Sequence, residues 1–280
     1  MDLNLPGSEL AWLAATLLAG GFVTGILSGL FGVGGGGILV PILYGLFTAI
    51  GVDEASRMHL AVGTSLAIIV PTSFRSFRSH HKRGVVDMQI LRSLGPPVAA
   101  GVVLGIVVAA FVEGSFLKIV YVVTASVMAL KLFAGGSRLQ LGATMPGNPV
   151  NAAVGATIGA ISTLIGIGGG VFISSYMTMF GRFIHQAVAT SSGFGPIIAI
   201  PATLGYIWAG WGTPDLPPGS LGYVSFLGAA IVTPASVLAA PLGVRIGHGI
   251  SRRKLEIAFG VFLLSVAVRF LVDLLQGLSS

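Results

Sequence analysis

The sequence predicts an all-α polytopic membrane protein: two inverted repeats of about five hydrophobic segments each, with Gly-rich helix breaks. Three observations predict it. First, the 280 residues are 54% hydrophobic and only 9% charged, with a mean hydropathy of +0.94. Soluble domains carry about 25% charged residues, so this chain cannot cover an aqueous surface and is assigned to the lipid bilayer. Second, apolar segments recur along the whole chain. Third, an unusual glycine-rich motif occurs twice.

Ten apolar segments can be marked, at about 9–31, 36–50, 57–74, 87–111, 115–134, 148–165, 169–181, 184–208, 220–244 and 254–275. Spanning the hydrocarbon takes about 20 helical residues. Segments 36–50 and 169–181 fall short, and each begins at a glycine cluster. They read as half-helices or re-entrant pieces. The N-terminus, MDLNLPGSEL, is acidic and lacks a basic n-region, so the first segment is expected to stay in the mature protein. The chain has no cysteine, which excludes disulfides and thiolate metal sites.

Charge orients the segments. With the N-terminus outside and every segment crossing, the cytoplasmic ends hold Arg75, Arg78, Lys82, Arg83, Arg92, Lys131, Arg138, Arg182, Arg245, Arg252, Arg253 and Lys254, twelve of the 15 basic residues. Only Arg57, Lys118 and Arg269 remain outside. Such a Lys/Arg bias orients membrane proteins. Trp12, Trp208 and Trp211 fall near the outer interface, as an aromatic belt does. Both termini are therefore predicted periplasmic. The net charge of +6 belongs to cytoplasmic loops, and no basic, aromatic-interleaved segment points to nucleic acid.

The glycine motif has a partner. Residues 25–36 read GILSGLFGVGGG and residues 159–170 read GAISTLIGIGGG, an offset of 134. His59-Leu-Ala-Val-Gly-Thr64-Ser65 matches His185-Gln-Ala-Val-Ala-Thr190-Ser191 at offset 126. Pro96 and Gly105 match Pro234 and Gly243 at offset 138. The chain thus divides into an N-terminal repeat, 1–140, and a C-terminal repeat, 145–280, joined by a turn-rich connector at 135–149. Five segments per half is an odd number, so the halves enter the membrane from opposite sides. That architecture is typical of secondary transporters, whose substrate site lies at the repeat interface.

Two readings of the glycines stand. Small residues at four-residue spacing let membrane helices approach closely, which suits Gly25 and Gly29. Three or four consecutive glycines, at about 1 kcal/mol of helix propensity each, suit a helix break better. A helix restarting after such a break offers unpaired N–H groups and its positive dipole end to an anion. The candidate substrate residues are Gly34, Gly35, Gly36, Gly168, Gly169 and Gly170, with hydroxyl donors from Ser28, Thr64, Ser65, Ser162, Thr190, Ser191 and Ser192. His59 and His185, the only matched histidines, are candidates for proton coupling. The dinucleotide-like spacing Gly32-x-Gly34-x-x-Gly37 lacks a βαβ context and an acidic partner, and is rejected. No carboxylate sits at the middle of a segment, which argues against a cation pathway. No catalytic motif, metal set or cofactor motif is found, so the chain is read as a non-enzyme with no cofactor.

The repeated G-x-x-S-x-x-x-G-[VI]-G-G-G motif at 25–36 and 159–170 resembles the TauE/SafE sulfite exporter family. So do the T-S segments at 59–65 and 185–191. The similarity covers essentially the whole chain. One departure is Gly195-Pro196, which has no counterpart in the first half. The resemblance implies a transporter of sulfite or an organosulfonate, a small anion, in the bacterial inner membrane. An anion channel and a non-transporting membrane scaffold are the alternatives, and a homo-oligomer is compatible with either.

Overall fold

The computed structural model describes residues 7–31, 36–135, 141–246 and 251–277. The chain is an all-α membrane protein. Its helices run α1 (Gly7–Phe31), α2 (Gly36–Ala49), α3 (Glu54–Lys82), α4 (Met88–Phe111), α5 (Gly114–Phe133) and α6 (Asn148–Ile165). Then follow α7 (Gly170–Met179), α8 (Ile184–Ser191), α9 (Phe194–Ala209), α10 (Phe226–Ile246) and α11 (Arg252–Gly277). Between α9 and α10 a short hairpin pairs β1 (Ser220–Leu221) with β2 (Val224–Ser225), antiparallel, with Leu221 opposite Val224.

Among the described residues, six stretches are long and apolar enough to cross a membrane: α3, α4, α5, α8 with α9, most of α10 and most of α11. At 1.5 Å per residue, α2 and α7 reach only about 21 and 15 Å, short of the roughly 30 Å hydrocarbon core. Neither crosses alone. Large side chains on the outer helices, such as Phe111, Val127, Leu130 and Leu238, are exposed. An exterior with this many exposed large apolar side chains belongs against lipid.

Side-chain caps mark the starts of α3 and α4. Asp53 accepts the Ala55 N–H at 2.8 Å and caps α3. Asp87 accepts the N–H groups of Gln89 and Ile90, each at 3.1 Å, and caps α4. Such short side-chain acceptors satisfy the orphan donors of a helix start. Three boundaries differ from expectation. The segment expected at 57–74 runs on as α3 to Lys82. The segment expected at 184–208 is two helices, separated at Ser192–Gly193, just ahead of Gly195-Pro196. The segment expected at 220–244 begins only at Phe226, because residues 220–225 form the hairpin.

Helices α3 and α9 form the enclosed centre. Outside them α1 runs along α10, α4 along α6, and α5 along α11; α9 also packs on α4, and α3 on α10. Two of these contacts are glycine-mediated. A Cβ on Gly25 would strike the Ser236 carbonyl oxygen of α10, and one on Gly243 would strike the Ile26 carbonyl oxygen of α1. Likewise Gly159 meets the Val98 carbonyl oxygen, and Gly105 the Ala160 carbonyl oxygen at 2.9 Å. Small residues allow this backbone approach. The packing reading of Gly25 therefore holds, and it applies to glycines outside the breaks as well.

Candidate anion site

The second glycine break is fully described. Helix α6 ends at Ile165, and Gly166 closes it in the left-handed region (φ 69°, ψ 31°) with its N–H on the Ser162 carbonyl. The Ile167 N–H also reaches that carbonyl, at 3.0 Å. Gly169 is again left-handed (φ 71°) and precedes α7. Only glycine adopts such angles without strain. The first intrahelical bond of α7 is Ile173 N–H to the Gly169 carbonyl, 3.0 Å. Gly170, Val171 and Phe172 therefore carry N–H groups with no partner inside the helix.

Residues 162–170 are buried throughout. Irregular backbone at membrane depth is tolerated when it is enclosed by protein, and here several elements enclose it. The Ser65 hydroxyl of α3 donates to the Gly166 carbonyl at 2.9 Å. A Cβ on Gly166 would lie 2.8 Å from Val40 Cγ2 and 3.2 Å from Val62 Cα. Ser162 is 0% exposed, and among the described residues its Oγ has no hydrogen-bond partner. That oxygen lies 3.4 Å from where a Gly169 Cβ would be, so it sits beside the N-cap of α7. Among the described residues, an unpaired hydroxyl thus joins amides that have no partner within their own helix. All are neutral donors.

Of the first break, Gly34, Gly35 and the Ser28 side chain lie outside the described residues. Gly36 opens α2. The next residue, Gly37, meets the second break: a Cβ there would lie 3.5 Å from Ile167 Cδ1. The Tyr121 hydroxyl of α5 donates to the Gly37 carbonyl at 2.6 Å. The described end of the first break thus abuts the second.

The remaining candidates divide. Thr64 Oγ1 accepts the Ser225 N–H at 2.9 Å, and Thr190 Oγ1 accepts the Asp87 N–H at 2.9 Å. Ser191 and Ser192 donate to the carbonyls of Val188 and Ala189, three residues back on α8, and do not reach the break. The two histidines occupy unlike places. His59 is buried, with Nε2 3.1 Å from the Ala109 carbonyl oxygen and its ring 4.9 Å from that of Tyr223. His185 is exposed on the first turn of α8. His59 and Thr64, five residues apart, both reach the 220–225 hairpin.

Sequence reasoning missed three groups. Asp87 and Ser225, the partners of the threonines, carry only the ordinary signal of a short polar residue before an apolar run. Lys118 was placed at an outer helix end. It is 2% exposed, pairs with Glu54 at 2.7 Å and lies 5.2 Å from the Tyr44 ring centre, with Arg57 5.5 Å from the same ring. Nothing in the local pattern separates Lys118 from an exposed interfacial lysine. Among the described residues, no cluster of histidine, aspartate or glutamate is suited to a metal ion.

Known proteins resemble this chain over most of its length. The chain is 33% identical over 255 residues to a "Probable membrane transporter protein" of Haemophilus influenzae, covering 89% of this chain and 94% of that one. It is 27% identical over 256 residues to a protein of the same name from Methanocaldococcus jannaschii, covering 91% and 94%. A Bacillus subtilis protein named YdhB, also a "Probable membrane transporter protein", is 28% identical over 196 residues, covering 68% and 77%. No solved structure matches the chain significantly. The profile of the family described as "Sulfite exporter TauE/SafE" matches residues 17–270, so the chain belongs to that family of multi-pass membrane transporters.

Proposed function

We propose that the protein is a secondary transporter that carries a small sulfur-containing anion, such as sulfite or an organosulfonate, outward across the bacterial inner membrane. The anion binds between the two glycine breaks. The observation that carries this reading is the Ser162 hydroxyl, unpaired among the described residues, beside the first amides of α7, which have no partner within the helix. A buried polar group without a partner costs about 1–3 kcal/mol, and a bound anion would relieve that cost. The positive end of α7 favours the same ligand without a fixed cation.

Reciprocity of packing supports an inverted repeat. Gly25 and Gly159 are 134 apart, and they meet the carbonyls of Ser236 and Val98, which are 138 apart. Gly243 and Gly105 are 138 apart and meet Ile26 and Ala160, which are 134 apart. Each contact thus returns when the halves exchange. Alternating access then comes from motion of one half against the other. The Lys/Arg bias supports periplasmic termini. For proton coupling we favour the buried His59 over the exposed His185. In that role, His59→Gln flattens the pH dependence of exchange, whereas an unchanged profile removes His59 from it.

The deciding experiment is counterflow in liposomes loaded with a panel of sulfur oxyanions and sulfonates. Saturable exchange of at least one, lost on Ser162→Val with the fold intact, supports the proposal. Unsaturable conductance points to a channel. No flux with any member of the panel overturns the substrate class.

A further inference from the structure

The threonines of the two T-S segments make the same bond at different places. Thr64 of α3 accepts from the Ser225 N–H, and Thr190 of α8 accepts from the Asp87 N–H, both at 2.9 Å. The donors are equivalent as well. Asp87 caps α4 through the Gln89 and Ile90 amides, and Ser225 precedes α10, accepting from the Gly228 N–H at 3.2 Å. Asp87 and Ser225 stand 138 apart, the offset that aligns Pro96 with Pro234; Thr64 and Thr190 stand 126 apart, the offset of their own motif. Each bond joins a residue before the 135–149 connector to one after it.

The Thr64 bond is buried, and the Thr190 bond is part-buried, with the Asp87 side chain 16% exposed. Thr64 is about 15 Å along α3 from Glu54, and Thr190 about 9 Å along α8 from Ile184. Both threonines are 0% exposed, and Ser225 is 4% exposed. The α9–α10 segment carries Tyr223 onto His59 and its carbonyl oxygen against Gly63, so a stretch of hairpin is seated on α3. The α3–α4 connection is short and is held on its side by Asp87–Arg182 at 3.7 Å. A hydroxyl has one donor and two acceptor sites. In each threonine the amide fills one acceptor site, and among the described residues neither hydroxyl proton has an acceptor.

We propose that these two bonds are the gates of the transport pathway, one at each end, and that the anion closes them by accepting from the threonine hydroxyls. The proposal rests on the transport reading above. An anion on the Thr64 O–H makes Thr64 Oγ1 a stronger acceptor for the Ser225 N–H, because successive hydrogen bonds polarise one another. The same chain runs through Thr190 to Asp87. Asp87 and Ser225 are therefore positioning residues, touching the anion only through a threonine.

The chain has no native cysteine, so crosslinks report cleanly. Thr64→Cys with Ser225→Cys, and Thr190→Cys with Asp87→Cys, are oxidised in liposomes, and sulfite counterflow is measured. Either crosslink is expected to stop counterflow, and reduction to restore it. Crosslinked protein that still exchanges sulfite at the reduced rate overturns the proposal. If an Asp87 variant does not fold, Thr190→Val and Thr190→Ser decide. Valine removes the hydroxyl and lowers exchange by about tenfold, the scale of one charged hydrogen bond, whereas serine keeps it. Equal rates for the two overturn the inner gate. If the unaltered protein moves no sulfur oxyanion, the transport reading fails separately. The gates are then judged by an impermeant thiol reagent on single Ser225→Cys and Asp87→Cys variants. Labelling of each from one side only, and from opposite sides, supports them; labelling from both sides overturns them.

Discussion

The Ser65 hydroxyl donates to the Gly166 carbonyl oxygen at 2.9 Å, across 101 residues of chain. That bond ties α3 to the irregular backbone between α6 and α7. The carbonyl of a left-handed helix cap has no place in the helix ladder, so an external donor must satisfy it.

Ser65→Ala is expected to lower stability by about 1–3 kcal/mol, because it leaves the buried Gly166 carbonyl without its donor. Gly166→Ala should cost at least as much. Its φ of 69° disfavours any Cβ, and Val40 and Val62 fill the space a Cβ would take. Thermal unfolding in detergent measures both. An unaltered midpoint for Gly166→Ala would contradict the described cap.

Ser162→Ala is expected to act in the opposite sense. Removing a buried hydroxyl that has no partner should raise the stability of the anion-free protein by about 1–3 kcal/mol. The same change should weaken anion binding by about tenfold or more, since a hydrogen bond to a charged group contributes about 1.5–3 kcal/mol. Unfolding midpoints without and with sulfite separate the two effects. Loss of stability without anion would mean that the hydroxyl has a structural partner.

Gly25→Ala and Gly159→Ala should be destabilising by similar amounts, about 1–3 kcal/mol, because each new methyl strikes a carbonyl of a facing helix. Gly45→Ala is the control. Nothing among the described residues lies within 4 Å of a Cβ there, so the change should be neutral or stabilise α2 by up to about 1 kcal/mol. Unequal costs for Gly25 and Gly159 would weaken the case for reciprocal packing.

Sidedness is testable on the cysteine-free background. Asp215→Cys should react with an impermeant thiol reagent added outside intact cells, and Arg83→Cys only after lysis. The reverse pattern would invert the orientation assigned from the Lys/Arg bias.

The sequence by itself determined the membrane class, the approximate helices, the two short pieces after the glycine clusters and the family. Hydropathy and glycine propensity are local properties, so they can be read one window at a time. Even the break between α8 and α9 had a local signal, the unmatched Gly195-Pro196. The tertiary structure decided which polar groups are free. Seven hydroxyls were candidates on equal terms, yet Ser191 and Ser192 are tied within their own helix while Ser162 is left unpaired. It also gave Thr64 and Thr190 their partners, 161 and 103 residues away, and it buried Lys118 against Glu54. Whether a donor is satisfied depends on what packs against it. That neighbour comes from a distant part of the chain, and no local pattern records it.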